Sequence, residues 1–237
     1  KQLNTVKRFI FLCKKKELPG NIKIKQEYLS YEELLEGKGP IEKWPLFEEK
    51  TASSLCYTSG TTGNPKGVLY SHRSTILHSI AAANPDALKI SSLDVIMPIA
   101  PMFHANAWGI PYVATMVGSK LVLPGRYLDG KNVYELLENE KVTFTAAVPT
   151  VWLMLLDYLD KHKLTLNYLK TCVIGGSACP RFMIEHFKQK HDVEVVHAWG
   201  MTETSPLGTV NRPLYKHKEF SQQEKYDLAV KQGRPIY

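Results

Sequence analysis

Residues 57–67, with the sequence Tyr-Thr-Ser-Gly-Thr-Thr-Gly-Asn-Pro-Lys-Gly, have a composition suited to holding phosphate groups. Backbone N–H groups near glycine and the hydroxyls of such a loop can donate hydrogen bonds to a polyanion, while Lys66 supplies positive charge. Because Pro65 precedes Lys66 and Gly67 follows it, the segment does not match a Walker A loop. We predict a mobile loop that closes over a nucleotide; the alternative is an ordinary polar linker.

A second motif, Trp199-Gly200-Met201-Thr202-Glu203-Thr204, follows an apolar strand. A carboxylate between two hydroxyls, behind a glycine turn, can bind Mg²⁺ when phosphates supply the remaining ligands. The alternative is a helix N-terminus that Thr202 caps and whose dipole Glu203 favours. The presence of the glycine-rich loop in the same chain favours the Mg²⁺ interpretation.

Two further segments combine small and aromatic residues. Gly175-Gly176-Ser177-Ala178 would let a flat ligand approach the backbone closely, or would form a tight turn in which Ser177 or Pro180 starts a helix. The segment Pro98–Gly109 contains His104 and Trp108, which on residue type alone are more typical of a protein core.

The surrounding elements alternate between strands and helices. We predict strands at 8–12, 53–57, 94–99, 120–123, 142–147, 171–174 and 193–198, and helices at 31–35, 71–83, 108–117, 133–139, 151–160 and 181–190. This order predicts an α/β fold with a mostly parallel sheet flanked by helices, in which ligands gather at the carboxyl ends of the strands. Residues 208–232 are predicted to form a surface loop with a helix. We divide the chain into 1–50, the partial end of a first sheet subdomain with a linker, and 51–237, a central α/β subdomain.

The composition is that of an ordinary globular protein of 237 residues, with 44% hydrophobic and 22% charged residues. The net charge of +7 comes from scattered Lys and Arg, which favours a solvated basic surface over a nucleic-acid groove. Three of the four cysteines have apolar or small neighbours and are predicted to be core thiols. No apolar run approaches the length of a transmembrane helix, and we expect a reducing, cytoplasmic compartment.

The four motifs, taken together and in this order, resemble the signatures of the adenylate-forming enzymes, which include acyl-CoA synthetases, luciferases and peptide-synthetase adenylation domains. The match covers most of residues 51–212. The resemblance implies that ATP is bound by the following set: Thr58, Ser59, Gly60, Thr61, Thr62, Gly63, Lys66, Gly176, Ser177, Ala198, Trp199, Gly200 and Thr202. It implies that Thr58 and Glu203 hold Mg²⁺, and that Lys66, Thr202, Glu203 and His104 act in catalysis. Trp199 stands where tyrosine is more usual in the family and would stack on adenine.

The string from Pro101 to Gly109 resembles the medium- and long-chain fatty acyl-CoA synthetase branch, in which the tryptophan gates an acyl tunnel. It implies that His104, Ala105, Trp108 and Gly109 contact a fatty acid. The implied reaction adenylates the fatty carboxylate, releases pyrophosphate and then forms a thioester with coenzyme A. Two alternatives are a ligase for aryl, amino or short sulfur-containing acids, and a non-catalytic nucleotide-binding or dimerising module.

Family members also have segments that these 237 residues do not match. These are a stretch that completes the first sheet, a Tyr-x-Thr-Gly-Asp motif, and a C-terminal lid domain with a catalytic lysine; no Thr-Gly-Asp occurs in this sequence. We therefore expect this chain alone to bind nucleotide weakly and to adenylate poorly or not at all. A homodimer and peripheral contact with the inner face of a membrane are both left open by the sequence.

Overall fold

The computed structural model describes residues 5–21, 23–58 and 63–236. Their contacts divide the chain into two compact units, Lys1–Phe47 and Glu48–Tyr237. In the first unit, strand β1 (Arg8–Phe11) pairs in parallel with β2 (Glu27–Ser30), and helix α1 (Tyr31–Leu35) follows directly. Ser30 caps this helix, because its hydroxyl accepts a hydrogen bond from the Glu33 N–H at 3.2 Å. The predicted strand and helix of this region are both confirmed.

The second unit contains the remaining helices and strands. In chain order they are β3 (Ala52–Thr58), β4 (Lys66–Ser71), α2 (His72–Ala83), β5 (Val95–Pro98), α3 (Ala105–Trp108), α4 (Ile110–Val117), β6 (Lys120–Leu121), α5 (Gly130–Asn139), β7 (Phe144–Ala147), α6 (Pro149–His162), β8 (Thr171–Ile174), α7 (Arg181–His191), β9 (Glu194–Gly200), β10 (Leu207–Val210), α8 (Gln222–Ala229) and β11 (Arg234–Pro235).

Seven strands form one sheet in the order β11-β10-β9-β8-β7-β5-β6. The pairs from β9 through β6 are all parallel, while β10 runs antiparallel to both β9 and β11. Both faces of this sheet are covered, since neighbouring residues of one strand enter different apolar clusters: Met97 packs with α5, α6 and α7, and Ile96 with α2 and α4. The mostly parallel α/β sheet predicted from the sequence is confirmed.

Four strands were not anticipated in the sequence, namely β2, β4, β10 and β11, and two of them, β4 and β10, are next to the cavity described below. The segment after Pro65, expected to belong to a loop, forms β4, which pairs antiparallel with β3 in a separate two-stranded sheet. Residues 207–210, most of which were expected to lie in a surface loop, form β10 at the antiparallel end of the main sheet. Both segments contain a glycine, which lowers their strand propensity in the sequence. Both form strands because the backbone of a neighbouring strand hydrogen-bonds with them.

The helix starts and the core follow ordinary local chemistry. Ser71 caps α2 by accepting the Ser74 N–H at 3.1 Å, as expected for a helix start. The cysteines predicted to be core thiols, Cys56, Cys172 and Cys179, are all buried and free. Within the described part of the chain, no helix is both long and apolar enough to cross a membrane.

Candidate active site

A cavity of about 830 Å³ opens where the β3–β4 hairpin faces the carboxyl ends of β8 and β9. Parallel strands present their carboxyl ends on one edge of a sheet, which is where α/β proteins commonly bind ligands. The predicted site residues that line this cavity are Thr58, Lys66, His104, Ala105, Trp108, Gly176, Ala198, Trp199, Gly200, Thr202 and Glu203. Residues from all four sequence motifs therefore meet in one place.

The hairpin brings Thr58 and Lys66 face to face. They are paired across the end of β3 and the start of β4, and the Thr58 hydroxyl donates to the Lys66 carbonyl at 3.5 Å. Lys66, expected in a loop, is the first residue of a strand because its backbone completes this ladder. The tip residues Ser59, Gly60, Thr61 and Thr62 lie outside the described residues, and Gly63 is described but does not line the cavity.

The end of β9 places the second motif along one wall. Ala198 is buried, and the indole of Trp199 lies against Gly208, where an added Cβ would sit 2.7 Å from a ring carbon. A Cβ at Gly200 would sit 2.1 Å from the Pro206 carbonyl oxygen, so only glycine fits between β9 and β10 here. The Trp199 side chain thus packs on the backbone of Gly208 and lines the cavity.

Beyond β9, a single 3-10 turn (Thr202–Thr204) carries the predicted magnesium residue. Thr202 is buried at the start of this turn, whereas Glu203 is exposed to the cavity. The Glu203 carboxylate forms no hydrogen bond or ion pair with any residue in the described ranges. An unpaired carboxylate and the Lys66 ammonium thus border the same space, as a site for a polyphosphate with a divalent cation requires.

The chemistry of the donor set fits Mg²⁺ rather than a metal held by protein alone. Among the described residues, no group of three or more His, Cys, Asp or Glu side chains is placed to hold a metal ion. Mg²⁺ is typically bound through one or two carboxylates with phosphate oxygens and water. Glu203 supplies one such carboxylate, and the Thr58 hydroxyl lines the same cavity.

The third motif follows β8 and lines the cavity through Gly175 and Gly176. Gly176 has a left-handed φ of +77°, and a Cβ at Gly175 would lie 3.0 Å from the Ala198 carbonyl oxygen and 3.4 Å from the Trp108 ring. The glycines therefore allow the Trp108 indole to lie against the backbone. Ser177 is exposed and does not line the cavity, and Pro180, not Ser177, precedes the first residue of α7.

The fourth motif adopts a left-handed turn, which corrects the predicted helix at 108–117. The φ angles from Ala105 to Gly109 are all positive, between 45° and 72°, and α4 begins only at Ile110. For residues other than glycine, the left-handed backbone conformation costs roughly 1–2 kcal/mol of conformational free energy per residue. The surrounding structure must therefore hold the turn in this conformation. The turn directs both His104 and Trp108 to the cavity, while buried Gly109 does not line it.

Replacing Gly109 with alanine should strongly lower the stability of the fold. A Cβ there would lie 2.4 Å from the imidazole of buried His78, whose pKa burial lowers to about 4, and the φ of +72° adds strain. Gly118, with φ +81° and nothing within 4 Å, is a matched control for the strain alone. We expect Gly109→Ala to lower the thermal unfolding midpoint clearly more than Gly118→Ala does. In the double variant Gly109→Ala/His78→Ala, most of this extra loss should be recovered, because the clashing imidazole is gone. Equal effects of the two glycine substitutions would contradict this packing.

Ten cavity residues, some of them members of the four motifs, had no site role assigned from the sequence. They are Leu55, Tyr57, Leu88, Phe103, Ile110, Val173, Gly175, Met201, Pro206 and Leu207. Tyr57, Phe103 and Met201 stand directly beside predicted residues, so neighbourhood in the motif was an available signal. Leu88 comes from the segment after α2, and nothing in its sequence surroundings marks it as part of a site.

Comparison with known proteins identifies the fold and the family. The family model described as AMP-binding enzyme matches residues 9–236. The chain is 48% identical over 241 aligned residues to a 3-methylmercaptopropionyl-CoA ligase of Ruegeria lacuscaerulensis, covering 100% of this chain and 43% of that protein. It is 54% identical over 210 residues to a medium-chain-fatty-acid–CoA ligase of Ectopseudomonas oleovorans, covering 88% of this chain and 38% of that protein.

The solved structures agree. The inhibitor-bound N-terminal domain of FACL13 from Mycobacterium tuberculosis superposes with a TM-score of 0.74 at 25% identity, covering 89% of this chain and 50% of that one. This chain thus spans less than half the length of the two curated relatives. The resemblance to adenylate-forming enzymes is confirmed, and the chain belongs to the AMP-binding enzyme family.

Proposed function

We propose that this chain is the central part of an ATP-dependent fatty acid–CoA ligase. The observation that carries the proposal is the cavity in which all four motifs meet, lined both by Lys66 and the unpaired Glu203 and by apolar side chains. Within it, we assign 51–237 to the AMP-binding subdomain and 1–50 to the end of a first sheet subdomain.

The nucleotide would occupy the polar part of the cavity. Lys66 and Thr58 of the hairpin would hold the phosphates, and the Trp199 ring would stack on adenine beside Gly176. Glu203 would hold Mg²⁺ together with phosphate oxygens, and the bound ion would neutralise charge that develops on the phosphates. Thr202 would contact the α-phosphate.

The reaction then has two balanced steps. A carboxylate oxygen of the acid attacks the α-phosphorus of ATP, and the bond to the leaving pyrophosphate breaks, giving acyl-adenylate. The thiol of coenzyme A then attacks the acyl carbon, loses its proton, and displaces AMP to leave the thioester. In such chemistry the protein contributes mainly position and charge stabilisation, which Lys66 supplies here.

The acid would lie toward the apolar part of the cavity. His104 and Trp108 of the left-handed turn border it, together with Leu88, Ile110, Val173 and Leu207. An apolar wall binds a hydrocarbon chain through the hydrophobic effect, roughly 0.8 kcal/mol for each buried methylene. This lining supports a fatty acid as substrate.

A short sulfur-containing acid is the second candidate, because one relative is a ligase for 3-methylmercaptopropionyl-CoA at 48% identity. Such an acid is also largely apolar and would contact the same apolar side chains of the cavity. Its chain is shorter, so it would leave part of an acyl site empty. The two candidates therefore differ in how activity depends on chain length.

The test is ATP-dependent pyrophosphate release by the full-length protein that contains this segment. It is measured across straight-chain fatty acids and with 3-methylmercaptopropionate, with and without coenzyme A. We expect kcat/KM to rise about fourfold for each added methylene up to an optimum, which corresponds to 0.8 kcal/mol. Highest activity with the sulfur acid would select the second candidate, and turnover only with aryl or amino acids would overturn both.

A further inference from the structure

The β3–β4 hairpin carries Thr58 and Lys66, yet its strands pair only with each other among the described residues. Other parts of the cavity lining come from the ends of β8 and β9 and from the left-handed turn around His104. Ladder hydrogen bonds therefore do not set the position of the hairpin against the sheet. The hairpin continues directly into α2 and contacts it through the Ser53 and Thr75 hydroxyls at 3.2 Å, and two polar side chains join it to the turns that line the cavity.

The first contact comes from Tyr70 on β4. Its side chain is buried, with 4% exposure, and its hydroxyl donates to the Thr202 carbonyl oxygen at 2.6 Å. Burial, with a smaller contribution from Cys56 and Glu203, raises the pKa of Tyr70 to about 12, so the phenol stays a donor. This bond fastens the hairpin to the turn that presents Glu203.

The second contact comes from Asn106 in the left-handed turn. Its amide nitrogen donates to the Ser54 hydroxyl at 2.7 Å, and its amide oxygen accepts from the Cys56 thiol at 3.4 Å. Ser54 and Cys56 are both on β3. Asparagine also tolerates the φ of 52° better than most residues. This amide therefore fastens the same hairpin to the turn that presents His104 and Trp108.

We propose that Tyr70 and Asn106 are positioning residues that set the hairpin at two separate points, one facing the nucleotide and one facing the acid. Neither side chain lines the cavity, so neither contacts a substrate directly. Tyr70 acts through the Thr202–Thr204 turn, and Asn106 acts through the turn around His104. The kinetic part of this inference rests on the proposed function.

The kinetic test uses Tyr70→Phe and Asn106→Gly in the full-length protein. Phenylalanine keeps the ring and removes the donor, while glycine keeps the left-handed backbone accessible and removes the amide. Since one hydrogen bond is worth about a tenfold change, we expect Tyr70→Phe to raise KM for Mg-ATP about tenfold and leave KM for the acid unchanged. We expect Asn106→Gly to do the reverse.

Two further variants serve as controls. Tyr112→Phe, on the exposed surface of α4, should leave both KM values unchanged. Asn106→Asp should restore KM for the acid, because its carboxylate can accept from both the Ser54 hydroxyl and the Cys56 thiol. Equal changes in both KM values, or a fall in kcat that only follows lower thermal stability, would overturn the proposal and indicate a general structural role.

A spectroscopic readout separates this inference from the proposed function. With 5-fluorotryptophan incorporated, the ¹⁹F resonance of Trp108 reports on the left-handed turn, and that of Trp199 reports on the end of β9 just before the Thr202–Thr204 turn, without any substrate. Asn106→Gly should shift the Trp108 resonance and leave Trp199 in place, and Tyr70→Phe should do the opposite. If this crossed pattern is found in a protein without ligase activity, the proposed function is rejected but the two positioning contacts are supported. If neither resonance shifts, or if both shift in each variant, the two positioning contacts are rejected.

Discussion

We expect replacement of Glu203 with glutamine to lower the proposed acid-dependent pyrophosphate release by the full-length protein about 100-fold, a loss of about 2.7 kcal/mol in transition-state stabilisation. Glutamine keeps the shape of the side chain but removes the charge that would hold Mg²⁺. Because Glu203 has no ion-pair partner in the described ranges, its charge is available for the cation. Initial rates measured at increasing Mg²⁺ concentration should show partial recovery of activity.

The matched control is Glu135→Gln, on the exposed face of α5, where the carboxylate lies 3.7 Å from Lys131. Exposed ion pairs of this kind contribute little, so activity and Mg²⁺ dependence should both stay at the wild-type level. A Glu203→Gln enzyme with normal Mg²⁺ dependence would remove Glu203 from the proposed metal site.

Replacing Trp152 with alanine destabilises the second unit by about 3–5 kcal/mol. The side chain is fully buried between β7 and α7, packs edge-to-face on Phe187 at 6.0 Å, and donates its indole N–H to the Ala147 carbonyl at 3.2 Å. Truncation leaves a cavity and removes one of the two hydrogen bonds that the Ala147 carbonyl accepts, the other coming from the Gly175 N–H at 3.4 Å. We expect a fall in the thermal midpoint of roughly 10 °C in circular dichroism melting.

Leu153→Ala on the same helix is the control, since Leu153 is 43% exposed and makes a smaller contribution to the core. Its thermal midpoint should change much less. Similar losses for the two variants would mean that Trp152 is not the central packing residue of this face.

The sequence predicted the elements that depend on local pattern. Strand β8 was predicted with the bounds that the structure shows, because four apolar or β-branched residues are followed directly by two glycines. Helix α2 was anticipated to within one residue, because Ser71 is a strong cap. The gathering of the motifs at strand ends was also predictable, since parallel topology forces those ends to one edge.

The left-handed turn could not be predicted in this way. Ala105, Asn106 and Ala107 are compatible with an ordinary right-handed helix, and only Gly109 indicates a positive φ. The hand of the turn is held by contacts between Asn106 and β3, which is about 50 residues earlier in the sequence. Likewise the bond from Tyr70 to Thr202 joins positions 132 residues apart, and no local pattern reveals it.

We propose above that this cavity belongs to an enzyme that activates a carboxylic acid as an acyl-adenylate. The most direct measurement supplies the full-length protein with a fatty acid carrying ¹⁸O in both carboxylate oxygens, ATP, Mg²⁺ and coenzyme A, followed by mass spectrometry of the products. We expect one ¹⁸O atom to be transferred to AMP, because the attacking carboxylate oxygen remains on the α-phosphorus after thiolysis. Label in inorganic phosphate with formation of ADP, or no transfer despite thioester formation, would contradict it.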